Sequence, residues 1–213
     1  MSLFRFCFNK QFIMYLAVLP VKGQIPAGFV PCADPASVKQ QLKIHLAYIQ
    51  SIECSFIQTK NHELLTRPHV ARGLFYFQKP HKIRWEYQEP LSWTLIFNGN
   101  NVVRKEGNTP LPLSASQARL LTSVSRLMVR LVGSGMLENG DFSHEFWCSS
   151  SKTLVRVIPL HKRFRLYLKE IHLYFSSSPS GLAKLHLIEN SGQTHLEFMN
   201  QKINQPISPD LFR

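Results

Sequence analysis

Apolar and polar positions alternate along much of the chain, and a period of two residues predicts β-strands. The clearest case is the segment 82–88, in which Ile83, Trp85 and Tyr87 fall on one face and charged residues on the other. Clusters of Gly, Pro, Asn and Ser separate such runs, and Asn98-Gly99 is the strongest hairpin turn. The predicted strands lie near residues 54–60, 69–79, 82–88, 92–97 and 102–105, and then near 141–148, 152–158, 164–175, 181–190 and 193–200.

Two segments follow the helical period instead. Asp34 can cap a helix whose first position suits Pro35, and this helix runs to about Gln50. A second helix begins near Ser114, in a capping box, and stops at Gly133. Its apolar residues form one stripe, made of Leu120, Leu121, Val124, Leu127, Met128 and Leu131. Both helices therefore need an apolar surface to cover.

The order of elements is helix, five strands, helix, five strands. Evenly spaced strands joined by hairpin turns predict a curved antiparallel sheet or barrel. The helices then cover its concave face, and the space between holds either packed side chains or an apolar ligand. The 15 Phe residues suit a large apolar interior, because Phe has no polar atom to satisfy.

The first 23 residues are typical of an export signal. Arg5 and Lys10 form a basic front, and the apolar run 12–19 is too short to span a bilayer. The remaining residues, 24–213, are expected to form a single domain. Cys32 follows Pro31, which is wrong for a lipid-attachment site, so no lipoprotein anchor is predicted.

The net charge of +12 permits nucleic acid, an anionic membrane surface or acidic partners. Nucleic acid is not expected, because the basic residues are spread along the chain. The basic cluster at 161–165 is interpreted as solvated surface. Outside the leader, Cys32, Cys54 and Cys148 show no CxxC spacing, so zinc and thioredoxin chemistry are not expected. Export permits a disulfide between Cys54 and Cys148, and free buried thiols are the alternative.

Catalytic motifs are scarce. The chain contains no HExxH, GxSxG, P-loop or GxGxxG sequence. His172, His186 and His195 fall on predicted strands, where a surface role is commoner than metal binding. We therefore expect no enzyme, no catalytic residue, no cofactor and no metal site. A hydrolase built on a Ser/His pair from distant strands is kept as a third hypothesis.

The segment 56–99 carries the most specific pattern. Its marker residues are Phe56 and Gln58, Gly73, Lys79-Pro80, Arg84-Trp85, Pro90 and Asn98-Gly99. In this order they resemble the periplasmic outer-membrane lipoprotein carrier (LolA-like) family. The closing residues Glu197–Asn200, Asn204, Ile207 and 210–212 are similar as well. The likeness covers about residues 34–213.

The resemblance implies a mainly β fold. It is an incomplete, strongly curved antiparallel barrel of about ten strands, lidded by two or more amphipathic helices over an apolar cavity. The implied cavity wall consists of Phe56, Phe75, Phe77, Ile83, Trp85, Tyr87, Trp93, Leu95 and Phe97, and the implied lid of Leu120, Leu121, Val124 and Leu127. Lys79 stands where the family often has Arg, a residue that ties the lid to the sheet.

The resemblance also implies a function. Such carriers shelter the acyl chains of a lipoprotein in the periplasm, and take it from an inner-membrane exporter to an outer-membrane acceptor. A monomer with only transient membrane contact is expected. The alternative is a module of the same fold that binds a glycolipid or free lipid, or that senses lipoproteins for a signalling partner.

Overall fold

A computed structural model describes residues 24–132, 135–138, 140–176 and 181–213. The predicted export signal, residues 1–23, lies outside the described residues. The strands are β1 (Val30–Pro31), β2 (Ser51–His62), β3 (His69–Gln78), β4 (Lys82–Glu89), β5 (Trp93–Asn98), β6 (Asn101–Glu106), β7 (Thr109–Leu111), β8 (Phe142–Cys148), β9 (Lys152–Pro159), β10 (Leu168–Ser176), β11 (Leu182–Glu189) and β12 (Gly192–Ile203). The helices are α1 (Pro35–Tyr48), α2 (Ala115–Val132), α3 (Gly135–Glu138) and α4 (Lys162–Arg165), and a 3₁₀ turn spans Pro209–Phe212.

All twelve strands belong to one antiparallel sheet, in the order β1-β8-β9-β10-β11-β12-β2-β3-β4-β5-β6-β7. The two runs of strands are joined where β12 pairs with β2, with Phe198 opposite Phe56. The outermost strands, β1 and β7, do not pair with each other, so the sheet stays open. This confirms the predicted fold class. The two additional strands are two and three residues long, too short to show an alternating pattern.

Both predicted helix starts are confirmed. The Asp34 carboxylate accepts a hydrogen bond from the backbone N–H of Ser37 at 3.0 Å. Ser114 and Gln117 form the reciprocal capping box, with donor–acceptor distances of 3.3 and 2.9 Å. Helix α1 is less amphipathic than predicted, because Ile44 and Tyr48 are exposed on its outer side.

One predicted boundary is wrong. The strand expected from residue 164 begins at Leu168, because Lys162–Arg165 forms the short helix α4. Phe164 of this helix stacks on Phe142 of β8, with ring centroids 5.3 Å apart. Packing of that ring selects a helical turn for a segment whose sequence alone suits either conformation. None of the helices among the described residues is long and apolar enough to cross a membrane.

The main core lies between the concave face of the sheet and helices α1 and α2. Leu46 of α1 and Met128 and Val132 of α2 are buried against it. A second, smaller core lies on the convex face, where the C-terminal tail covers β5. There Phe212 and Ile207 pack on Ile96.

The disulfide that export would permit between Cys54 and Cys148 is not formed. Cys148 instead pairs with Cys32, which lies immediately after β1. Cys54 is a free thiol buried in the core, and burial raises its pKa to about 12. Since β1 is only two residues long, the sequence pattern could not show that it lies beside β8 and brings the two cysteines together.

Candidate functional site

An aromatic wall covers the concave face of β2 to β5. The Phe75 and Trp85 ring centroids lie 5.0 Å apart in an edge-to-face contact. Tyr87 stacks on Trp93 at 4.2 Å and meets the ring of Phe56 edge-on at 5.2 Å. Contacts of this kind add to the apolar burial of each ring and fix the rings relative to one another.

Gly73 makes this wall continuous. It lies on β3 between Phe56 and Tyr87, opposite both in the register. A Cβ atom at this position would lie 3.0 Å from the Phe56 ring and 1.9 Å from the backbone oxygen of Glu86. The missing side chain therefore lets two rings on non-neighbouring strands touch, which explains a glycine within a strand.

The predicted wall residues fall into two groups. Six are buried in the main core: Phe56, Phe75, Phe77, Ile83, Trp85 and Phe97. Three remain partly exposed: Tyr87, Trp93 and Leu95. Of the predicted lid, Leu121 packs against the core, and the side chains of Leu120, Val124 and Leu127 lie outside the described part of the structure.

An open cleft separates the first half of α2 from β5 and β6. Its volume is about 290 Å³, near the lower end of typical ligand pockets. Its lining residues are Trp93, Leu95, Arg104, Leu113, Gln117 and Leu121. The Arg104 guanidinium lies 5.5 Å from the centre of the Trp93 ring, so the cleft has one cationic side. The cleft thus combines an apolar wall with a single positive charge.

The interior deeper in the sheet is almost filled. A space of about 20 Å³ is left among Ile52, Cys54, Phe75, Val132, Leu182, Phe198 and Gln201. This is room for about one water molecule, for which about 10–15 Å³ is enough, and far too little for an acyl chain. Among the described residues the cleft under α2 is thus one open apolar space, while the six buried wall residues are covered by the protein's own side chains.

Polar atoms within the wall are few. The Tyr87 hydroxyl donates to the Gln58 amide oxygen at 2.9 Å, and burial raises the Tyr87 pKa to about 12. The buried indole N–H of Trp85 has no hydrogen-bond partner among the described residues. A buried unpaired donor costs about 1–3 kcal/mol, so it favours any acceptor that enters the interior.

Lys79, in the turn between β3 and β4, lies against the C-terminal end of α1. Its ammonium donates to the backbone carbonyl of Ala47 at 2.6 Å, and desolvation lowers the Lys79 pKa. Asn204 completes the arrangement, because its side chain donates to the Tyr48 carbonyl at 3.2 Å and accepts from the Gln50 N–H at 2.7 Å. The last carbonyls of α1 therefore accept hydrogen bonds from Lys79, in the turn between β3 and β4, and from Asn204, in the C-terminal tail.

Sequence reasoning missed several of these residues. Arg104 and Leu113 gave no signal, because a single arginine on a short strand or a leucine in a loop is common. Asn204 belonged to the family-like tail, but its role depends on a left-handed backbone, φ 57°, which Asn tolerates better than most residues.

Comparison with known proteins identifies the class. A family model for the outer membrane lipoprotein carrier protein LolA matches residues 47–213. The chain therefore belongs to this family, whose members are lipoprotein or lipid carriers and not enzymes. Membership also implies an exported protein.

Particular relatives are distant. An outer-membrane lipoprotein carrier protein of Methylococcus capsulatus is 24% identical over 202 residues, which cover 93% of this chain and 91% of the relative. The crystal structure of MucB is similar with a TM-score of 0.51 at 8% identity, over 84% of this chain and 63% of that chain. A LolA-superfamily protein of Nitrosomonas europaea has a TM-score of 0.41 at 10% identity, over 82% of this chain and 97% of that chain. The similarity to MucB shows the fold alone.

Proposed function

We propose that the chain carries the acyl chains of a lipoprotein through the periplasm, from an inner-membrane exporter to an outer-membrane acceptor. The observation that carries this proposal is the cleft under α2, with Trp93 and Leu95 on one side and Leu121 on the other. An acyl chain gains about 0.8 kcal/mol for each methylene group taken out of water. Apolar volume alone is therefore enough to bind such cargo.

Cargo binding starts at the cleft, and α2 is the element that moves to enlarge it. A cleft of about 290 Å³ is small for the acyl chains of a lipoprotein, so more of the aromatic wall must be uncovered. Two described polar contacts of α2 are long and only partly buried: Arg126 to Asn100 at 3.4 Å and Arg130 to Asp141 at 3.9 Å. Such contacts add little stability, so they oppose displacement of α2 only weakly.

Helix α1 is the fixed part of the cover. Lys79 and Asn204 hold its carbonyl end, and Lys43 forms an ion pair with Glu138 of α3 at 2.8 Å. Lys79 therefore acts as a lid fastener through one hydrogen bond, where Arg would offer a planar group with several donors. Once α2 moves, the unpaired N–H of Trp85 is a donor for a cargo ester carbonyl.

A fluorescent fatty acid tests the cleft. Replacing Leu121 by Asp places a charge in the apolar wall, and we expect affinity for the probe to fall about tenfold or more. Ile44→Asp is the matched control, because Ile44 is exposed on the outer side of α1. Affinity should be unchanged in the control, and circular dichroism should show both variants folded. Equal affinities of Leu121→Asp and the wild type would contradict the proposed site.

Cargo identity and ester hydrolysis separate the proposal from the lipid-binding and hydrolase alternatives. Native mass spectrometry of protein isolated from its own periplasm should show a bound acylated protein. A bound glycolipid or free lipid would favour the lipid-binding module instead. Release of free fatty acid from an ester probe would support the hydrolase hypothesis.

A further inference from the structure

Exposed apolar side chains collect at one end of the strands. Because the sheet is antiparallel, the loops after β2, β4, β9 and β11 all lie at the same end of the strands. We call loops 63–68, 90–92, 160–167 and 190–191 the rim. Its apolar side chains include Leu64 (86% exposed), Leu91 (72%), Leu166 (66%) and Tyr167 (74%).

Hydrogen bonds connect three of the four rim loops. The Asn190 side chain donates to the backbone carbonyls of Arg165 and Leu166, at 3.1 and 2.7 Å. On the other side of the same turn, the Glu63 N–H donates to the Ser191 carbonyl at 3.0 Å. The turn between β11 and β12 therefore holds the loop after β9 and the loop after β2 side by side.

Basic residues outnumber acidic ones in the rim loops, where Glu63 is the one acidic residue. The segment 160–169 contains Lys162, Arg163, Arg165 and Lys169 and no acidic residue. Arg67 adds an exposed positive charge beside Leu64 and Leu65. The sequence pattern of 161–165 fits a solvated surface, but that interpretation does not explain why Leu166 and Tyr167 project into water next to it.

We propose that the rim docks on the surface of an anionic phospholipid bilayer. Apolar and aromatic tips enter the headgroup region, while lysine and arginine contact the phosphates. The aromatic ring and hydroxyl of Tyr167 suit the boundary between lipid and water. The choice of an anionic bilayer rests on the charge of segment 160–169, which an acidic surface complements.

The rim adjoins the cleft. Leu91 and Trp93 both line a cavity of about 130 Å³ at the start of β5, and Trp93 also lines the cleft under α2. A protein docked by the rim would therefore present the opening of its cleft close to the bilayer. The docking inference goes beyond the carrier proposal, because it concerns a surface and not the cargo.

Vesicle sedimentation tests the rim. The full chain is compared in every form, so that any contribution of residues 1–23 is constant. We expect binding to vesicles containing phosphatidylglycerol, weakened by salt, and much weaker binding to phosphatidylcholine alone. The charge variant Arg67→Gln with Lys162→Gln should bind about fivefold more weakly for each positive charge removed. The apolar variant Leu64→Ser with Tyr167→Ser should lose about tenfold.

The matched control is Tyr48→Ser with Lys152→Gln. Both control residues are exposed and lie at the opposite ends of the strands, so vesicle affinity should not change. Binding of the wild type to neither vesicle would overturn the proposal and favour a protein partner for the rim. Equal loss in the rim variants and the control would also overturn it, because binding would then not depend on the rim. Probe affinity in the cleft is a separate measurement, so either proposal can fail without the other.

Discussion

The two halves of the sheet fill their interiors with different side chains. Strands β9 and β10 present aliphatic residues, and Val155, Val157 and Ile171 have no exposed surface. Strands β4 and β5 present flat aromatic rings, and the cleft opens beside Trp93. Branched aliphatic side chains interlock and leave no space, whereas stacked rings can lose a neighbour and remain stacked on each other. We therefore propose that β9 and β10 form the rigid frame, whereas the aromatic wall on β4 and β5 is the part that cargo uncovers.

The convex faces of the two halves of the sheet also differ, in how deeply their ion pairs are buried. Behind β9 and β10, the Arg156 guanidinium contacts the carboxylate of Glu170, and the three residues Arg156, Glu170 and His172 are buried. Behind β4, Arg84 pairs with Glu86 at 2.7 Å where both side chains keep contact with water. Buried ion pairs are costly to disrupt, whereas partly exposed ones contribute little.

Loss of the disulfide should have the largest effect on stability. The bond joins residues 116 apart, and the chain-entropy model assigns about 4–5 kcal/mol to a loop of this length. We expect Cys148→Ala to lower the free energy of unfolding by about 4 kcal/mol. Denaturant titration measures this value, and Cys54→Ala, a small change at a free thiol, serves as the control. A loss below about 1 kcal/mol would show that the disulfide does not support the frame.

Removing the Glu170 charge should have the second-largest effect on stability. Glu170→Gln leaves Arg156 with the partly exposed Glu145, 3.1 Å away, and weakens the acceptor 3.1 Å from His172 Nε2. We expect a loss of about 3 kcal/mol on denaturant unfolding, with probe affinity unchanged. Glu86→Gln is the matched change in the other half and should cost less than about 1 kcal/mol. Similar losses for the two variants would abolish the contrast between the halves.

Releasing the end of α1 should have the smallest effect on stability. Lys79→Met removes the donor to the Ala47 carbonyl and should cost about 1 kcal/mol. Hydrogen exchange of the α1 amides should nevertheless become faster, and the fluorescent probe should enter more quickly. Lys79→Arg, which restores a cationic donor, should return both rates to the wild-type range. Unchanged exchange in Lys79→Met would remove Lys79 from the mechanism.

Much of the fold could be predicted from the sequence, because the alternation in strands such as β4 and the caps at Asp34 and Ser114 are local signals. The ends of the sheet could not, since β1 and β7 are too short to show a period. The cysteine pairing was missed for the same reason. The aromatic wall was predicted as a set of residues, but whether it lines open space depends on the position of α2, which no local pattern encodes.

The antiparallel strand order places the carbonyl end of α1 and the rim at opposite ends of the strands. Lys79 lies at one end, and Leu64 and Tyr167 lie at the other, a strand length away. Under the two proposals above, the protein has a direction, because Lys79 at one end of the strands controls retention of the cargo and the rim at the other end controls its delivery. Substitutions at either pole can then tune one property without altering the second, so the two can be adjusted independently as membranes and cargo differ.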